Sequence, residues 1–295
     1  MKSAWPVVLV TAAVALLPMA EAKSDEPGNE PPAADPMRGK EAGQVRDDNG
    51  MKMKLVWCPP GAFTMGSPKS EKDRNNDEDQ VGVTLTRGYW LGQYEVTQSE
   101  WKRVMSIEPW KGKTLTKEGD DFPATWVSWR DATDFCRRLT EQERQAGHLP
   151  DNWEYALPTE AQWERTCRAG TETKYSFGDD ESKLGDYAWF ENNAWYAREH
   201  HYAHQIGQKK ANPWGLCNMH GNVWEWCRDV YAEKLSGGRD PVVKSDEETE
   251  ASVRVVRGGS WISDAASCRS GYRNWGRPVS RLPTVSFRVA LSAVR

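Results

Sequence analysis

The chain has 295 residues and a formal net charge of −4, a length that fits one large domain or two small ones. No basic stretch is interleaved with aromatics, and the balance is mildly acidic, which argues against nucleic acid as a partner. Mean hydropathy is low at −0.79, but the chain carries 16 tryptophans. Each can bury about 150–250 Å², so few aliphatic residues are needed to build a core.

In chain order, residues 1–22 read as a signal peptide. Lys2 is the basic start, residues 7–17 form an apolar run too short for a stable membrane span, and Ala20-Glu21-Ala22 fits small-x-small cleavage. Export to the periplasm or the extracellular space is therefore expected, with no membrane span left after cleavage. No lipidation cysteine lies near that site, because the first cysteine is Cys58. Residues 23–50 hold four prolines and many charges but no aromatic, Leu or Ile, so a disordered linker is expected there. The domain is expected over residues 51–295.

Residues 54–58 and 81–86 read as strands, separated by a polar loop. Three helix starts are signalled by capping-box spacing: Thr97-x-x-Glu100, Ser128-x-x-Asp131 and Thr159-x-x-Gln162. Helical periodicity follows, as in Ala132, Phe135, Cys136 and Leu139. Residues 171–211 are expected to form surface excursions and residues 232–251 an acidic, flexible insertion. Residues 254–257 and 287–291 read as the last strands. No repeat of fixed period is found.

Four segments carry the identity of the chain. They are Pro60-Gly61-Ala62-Phe63-Thr64-Met65-Gly66-Ser67, then Leu157-Pro158-Thr159-Glu160-Ala161-Gln162-Trp163-Glu164. The third runs from Asn212-Pro213-Trp214-Gly215-Leu216 into Met219-His220-Gly221-Asn222-Val223-Trp224-Glu225-Trp226. The fourth is Arg257-Gly258-Gly259-Ser260-Trp261, closed by Phe287-Arg288-Val289. In this order and spacing they resemble the formylglycine-generating, or sulfatase-modifying factor, family. The resemblance implies an α+β fold, a C-type lectin-like variant with few helices, short antiparallel strands and low regular content.

It also implies a chemistry. Enzymes of that family convert a cysteine of sulfatases to formylglycine with Cu(I), O₂ and two cysteines five residues apart, a pair of soft thiolates suited to Cu(I). The second cysteine of the pair falls on Cys268 and the first on Ser263, whose neutral hydroxyl is a poor Cu(I) ligand. Positions that hold His and Tyr in the human-type site carry Asp264 and Ser267. Trp224 and Ser260 match residues lining the oxygen pocket. The resemblance thus gives Cys268, Ser263, Ser260 and Trp224 as candidate catalytic residues, Cys268 as the candidate copper ligand, and a protein or peptide substrate such as a sulfatase.

The same resemblance implies Ca²⁺ on Asn218, Gly221, Val223 and Glu225, two side-chain and two carbonyl donors of the kind a hard cation takes. The alternative for these residues is a glycine-pivoted turn packing Trp224 and Trp226. A second calcium site of the family has no match near Tyr187-Ala188-Trp189.

For Cys268 itself, a disulfide with Cys227 or Cys167 and a free reactive thiol both stand, since an exported chain meets an oxidising compartment and the six cysteines allow 15 pairings. His200, His201 and His204 form a His-His-x-x-His cluster without the Glu of the zinc-protease motif, on what reads as an exposed loop. Asp246-Glu247-Glu248 reads as solvated chain. No phosphate cradle follows a strand and no Gly-x-Ser-x-Gly elbow occurs. Two functions follow: a divergent oxidase using Cys268, or a binding module that recognises a peptide or carbohydrate around Trp224 and Trp261. Relatives using non-haem iron bring a histidine triad from a separate helical domain that this chain lacks.

Overall fold

The computed structural model describes Met1 and residues 35–197, 200–245 and 252–294. The expected signal peptide beyond Met1, residues 23–34 of the expected linker and the Asp246-Glu247-Glu248 run lie outside the described residues. The chain divides into two units, residues 1–36 and 37–295. The second holds all the elements below. Among the described residues, no helix is long and apolar enough to cross a membrane.

The larger unit is built on three sheets. The first has five strands: β1 (Val45–Arg46), β2 (Leu55–Cys58), β5 (Tyr89–Gly92), β12 (Ala290–Ala293) and β6 (Trp153–Ala156), in that order and all antiparallel. All four residues of β2 are buried. Alternate side chains of a strand face opposite ways, so Leu55 and Trp57 join one core cluster while Val56 and Cys58 join another. In the first cluster Trp101 stacks on Phe135 at 5.6 Å between ring centroids, and Phe287 meets Phe135 edge-on at 5.3 Å. Large rigid aromatics thus fill a core that aliphatics are too few to fill.

The three helices start where capping predicts. α1 (Gln98–Met105), α2 (Trp129–Gln145) and α3 (Glu160–Arg168) each have a reciprocal box. At α3, Thr159 Oγ1 accepts from Gln162 N–H at 3.1 Å and Gln162 Oε1 accepts from Thr159 N–H at 2.9 Å. Each cap contributes about 1 kcal/mol. A fourth, single-turn helix α4 (Leu184–Tyr187) follows.

The second sheet orders β10 (Asn274–Gly276), β9 (Arg254–Arg257), β7 (Trp224–Val230) and β11 (Val285–Ser286). The third orders β3 (Gly61–Met65), β4 (Val81–Leu85) and β8 (Gly238–Arg239).

Four expectations need correction. The packed unit begins at Met37, not residue 51. Met37 is buried and its carbonyl accepts from Trp90 Nε1 at 2.7 Å, and β1 pairs with β2. Composition misses this because the anchors are a methionine and a short edge strand. Residues 287–291 are not one strand: the chain leaves β11 at Ser286 and joins β12 at Ala290, and Arg288 between them turns into the interior. The described part of the expected flexible insertion is ordered. Leu235 is buried, β8 pairs with β4, and Asp240 accepts from Thr86 N–H at 2.7 Å. Residues 171–211 do more than run over the surface: Tyr175, Leu184, Ala188 and Ala194 are fully buried.

Candidate functional site

Two turns carry the residues that the sequence singles out. The first follows β9. Gly258 and Gly259 have φ of 100° and 78°, the left-handed region open to glycine. A Cβ on Gly259 would lie 2.6 Å from Cys268 Sγ, so only a glycine lets the chain close over that sulfur. Beyond the hinge, Ser263 Oγ accepts from Ser260 N–H at 2.9 Å, and the two hydroxyls lie 3.1 Å apart. Ser263 N–H donates to Ser260 O, and Ser263 O accepts from Glu191 N–H, both at 2.9 Å. Ser260 and Ser263 are thus brought together as expected, but as a closed pair that satisfies itself.

Cys268 is fully buried at the end of a 3-10 turn, in a cluster with Tyr175, Leu184, Ala188, Phe190 and Ala265. Burial pushes its thiol well above the usual range, and the charges of Asp264 and Glu191 add to that. All six cysteines are free and buried, so the pairings of Cys268 with Cys227 or Cys167 are not formed. Burial also leaves this thiol without the access and the lowered pKa that a reactive thiol needs. Trp224 belongs to a different cluster, with Trp226 and Phe287, and leans on Tyr272. It is 9% exposed and Trp261 0%, so neither offers the binding surface expected of them. Exposed aromatic and aliphatic groups at this end include Tyr196 (66%), Ile262 (43%) and Trp195 (39%). Trp195 packs on Trp261 at 5.7 Å.

The second turn leads into β7. Asn218 and Asn222 hold left-handed φ of 60° and 67°, and a Cβ on Gly221 would lie 2.4 Å from Trp189 O. Glu225 is buried and bound by Arg288 through two 2.6 Å hydrogen bonds, with Trp163 Nε1 donating at 2.7 Å. Glu95, between β5 and α1, is also buried. It accepts from Asn218 Nδ2 at 3.0 Å and Asn222 Nδ2 at 2.8 Å. Burial pushes the Glu95 carboxyl up to about 7; Arg288 opposes this and Glu225 adds to it. Asn218 Oδ1 is buried with no hydrogen-bond partner. The turn is therefore more than a pivot that packs two tryptophans.

Sequence reasoning did not single out Glu95. The one available signal was an acid set between Tyr94 and Val96 just ahead of a capping box. Arg288 lies in the Phe287-Arg288-Val289 motif, but its ion pair with Glu225, 63 residues away, is a tertiary fact.

His220 joins the two turns. One ring nitrogen meets Cys268 O at 2.9 Å and the other meets Ser176 Oγ at 2.8 Å. Val223 and Trp261 share a small cluster with Ala194 and Ala203, and Trp189 packs against it, so residues 189–197 and 200–204 cover both turns. The expected exposed histidine loop is largely packed here. His204 is 4% exposed and stacks on Trp189 at 3.8 Å, with His200 Nδ1 at 3.3 Å. His201 turns away to Trp195. Among the described residues, no three His, Cys, Asp or Glu side chains are grouped to hold a metal. A cavity of about 560 Å³ lies elsewhere, between α2, β6 and residues 243–245, and includes none of the expected site residues.

Residues 41–293 match the family model described as the Sulfatase-modifying factor enzyme 1-like domain. Among curated proteins, the chain is 28% identical over 255 residues to Chaperone protein LppX of Paenibacillus barcinonensis, covering 74% of this chain and 82% of that protein. It is 27% identical to the formylglycine-generating enzyme of Streptomyces coelicolor, covering 74% of this chain and 65% of that enzyme. Among solved structures, PvdO from Pseudomonas aeruginosa superposes with a TM-score of 0.75 at 25% identity, over 86% of this chain and all of that one. The fold is the α+β, C-type lectin-like variant expected, and with the family model spanning nearly all of the packed unit, the chain belongs to the sulfatase-modifying factor family.

Proposed function

We propose that this chain is an exported binding member of its family, in which the oxidase centre is replaced by a closed serine pair. The observation that carries the reading is the state of Ser263 and Cys268. The first is a neutral hydroxyl already held by Ser260, and the second is an enclosed thiol that resists ionisation. Such a pair does not fit Cu(I), which takes accessible thiolates. The name of the Paenibacillus relative, a chaperone protein, supports recognition of another protein as the role. The face that suits it is Trp195, Tyr196 and Ile262, exposed apolar groups above the serine turn. Aromatic groups are enriched where proteins bind one another. The expected partner is an extended peptide segment of an exported protein.

Calcium remains part of this reading. The donor set fits a hard cation: Asn218 Oδ1 is bare, Gly221 and Val223 bring backbone carbonyls, and Glu225 brings a carboxylate. Bound calcium would supply positive charge to a buried acidic turn and stiffen it.

The test has two arms. Wild type and Ser263→Cys are titrated with Cu(I) and incubated with a cysteine-containing sulfatase-type peptide, read by mass spectrometry. No copper uptake and no peptide oxidation by wild type are expected, and iodoacetamide should leave native Cys268 unlabelled. Oxidation by wild type would restore the oxidase reading. In the second arm, wild type is expected to suppress aggregation of a reduced, carboxymethylated protein. Retention of that effect in Trp195→Ser/Tyr196→Ser would remove the proposed face.

A further inference from the structure

Glu95 is fixed by its chain before it meets the site. Its neighbour Val96 donates to Phe287 O at 2.9 Å and accepts from Ala124 N–H at 2.8 Å, so the backbone is clamped on both sides. The carboxylate is 1% exposed, yet the side chains bound to it are two amides, those of Asn218 and Asn222. Arg288, the guanidinium of this centre, is bound to Glu225 instead. Two carboxyl groups therefore face one guanidinium, and Glu95 is left without a cationic side chain bound to it.

The amides decide where the oxygens point. Each asparagine gives its N–H to Glu95, so each Oδ1 is turned the other way. Asn222 Oδ1 accepts from His204 N–H at 2.7 Å. Asn218 Oδ1 has no partner, although Asn218 is 2% exposed. A buried acceptor left bare beside a carboxyl group with no cationic partner is what a bound cation would satisfy.

We propose that Glu95 is the positioning residue of the cation site: it holds Asn218 so that Oδ1 faces the ion and contributes the charge that the ion balances. The inference rests on the calcium reading above and adds a residue from outside the 218–225 turn. Through Glu95 the site is tied to the start of α1, because Thr97, two residues on, caps that helix. Partners that orient a metal ligand typically govern affinity by about 10–100-fold.

The experiment uses the mature chain, Ca²⁺ followed by calorimetry, and Tb³⁺ followed by luminescence excited through tryptophan. Trp163, bonded to Glu225, is the natural donor. Wild type is expected to bind one ion. Glu95→Gln, which keeps the size and loses the charge, should weaken binding by about 10–100-fold with an unchanged circular dichroism spectrum in EDTA. Glu95→Asp keeps the charge with a shorter reach and should lose less than Glu95→Gln. Wild-type affinity in Glu95→Gln overturns the role of Glu95 and leaves the calcium reading standing. No binding by wild type overturns the calcium reading and the inference together. Should Glu95→Gln fail to fold, Glu95→Asp carries the test, and wild-type affinity there overturns the proposal.

Discussion

The two turns under residues 189–197 and 200–204 are built alike and finished differently. Each is hinged on glycine where a Cβ has no room, Gly259 against Cys268 and Gly221 against Trp189. In the 257–268 turn the polar groups satisfy each other: Ser263 is held by Ser260, and the thiol is enclosed in apolar side chains. In the 218–225 turn an acceptor is left bare and the charges do not cancel. On the proposed reading, the scaffold has lost one centre by becoming self-sufficient while the other keeps an open demand. On that reading the buried polar atom without a partner, rather than the motif residue as such, marks where a ligand would be taken.

The largest effect expected is on the open side. Arg288→Met leaves Glu225 and Glu95 buried without their guanidinium, and breaking such a pair costs about 3–5 kcal/mol. Chemical denaturation of the variant against wild type reads this directly. A loss below 1 kcal/mol would mean that the charges there are not coupled as the geometry indicates.

The covering segment comes next. Burial lowers the pKa of His204 to about 4, with His200 and Lys209 adding to the effect. An unfolded histidine titrates near 6.5, so its contribution is fully present above that pH and is lost as pH falls from 6.5 towards 4. The swing is on the order of 3 kcal/mol before solvent screening. His204→Phe keeps a ring on Trp189 and has no proton to take up. The stability gap between wild type and variant, measured at pH 7.5 and 4.5, should move in favour of the variant at the lower pH. A constant gap would show that His204 is not held neutral.

On the closed side, Gly259→Ala adds a Cβ against the Cys268 sulfur at a left-handed position, a cost of about 1–3 kcal/mol. Part of that cost should return in Gly259→Ala/Cys268→Ala, and a double-mutant cycle would measure the coupling. Strict additivity would separate the hinge from the thiol it covers. The smallest stability effect belongs to Ile262→Ser on the exposed face, within about 0.5 kcal/mol, combined with weaker retention of an unfolded client.

Local signals were legible because their causes are local. The three capping boxes need only residues three apart, and the glycine-rich and tryptophan-rich motifs place both turns. The family followed from their order. What lay beyond the sequence depends on side chains far apart along the chain. The burial of Cys268 comes from Tyr175 and Leu184, and the early start of the packed unit from Met37 under Trp90. The apparent strand at residues 287–291 splits because Arg288 is drawn in by Glu225.

By itself, then, the sequence determined the fold family, the helix starts and the two turns, since hydrogen-bond spacing and glycine stereochemistry are written in neighbouring residues. Tertiary structure decided which turn is chemically closed and which stays open, because desolvation and charge balance depend on everything that surrounds a group once the chain has packed.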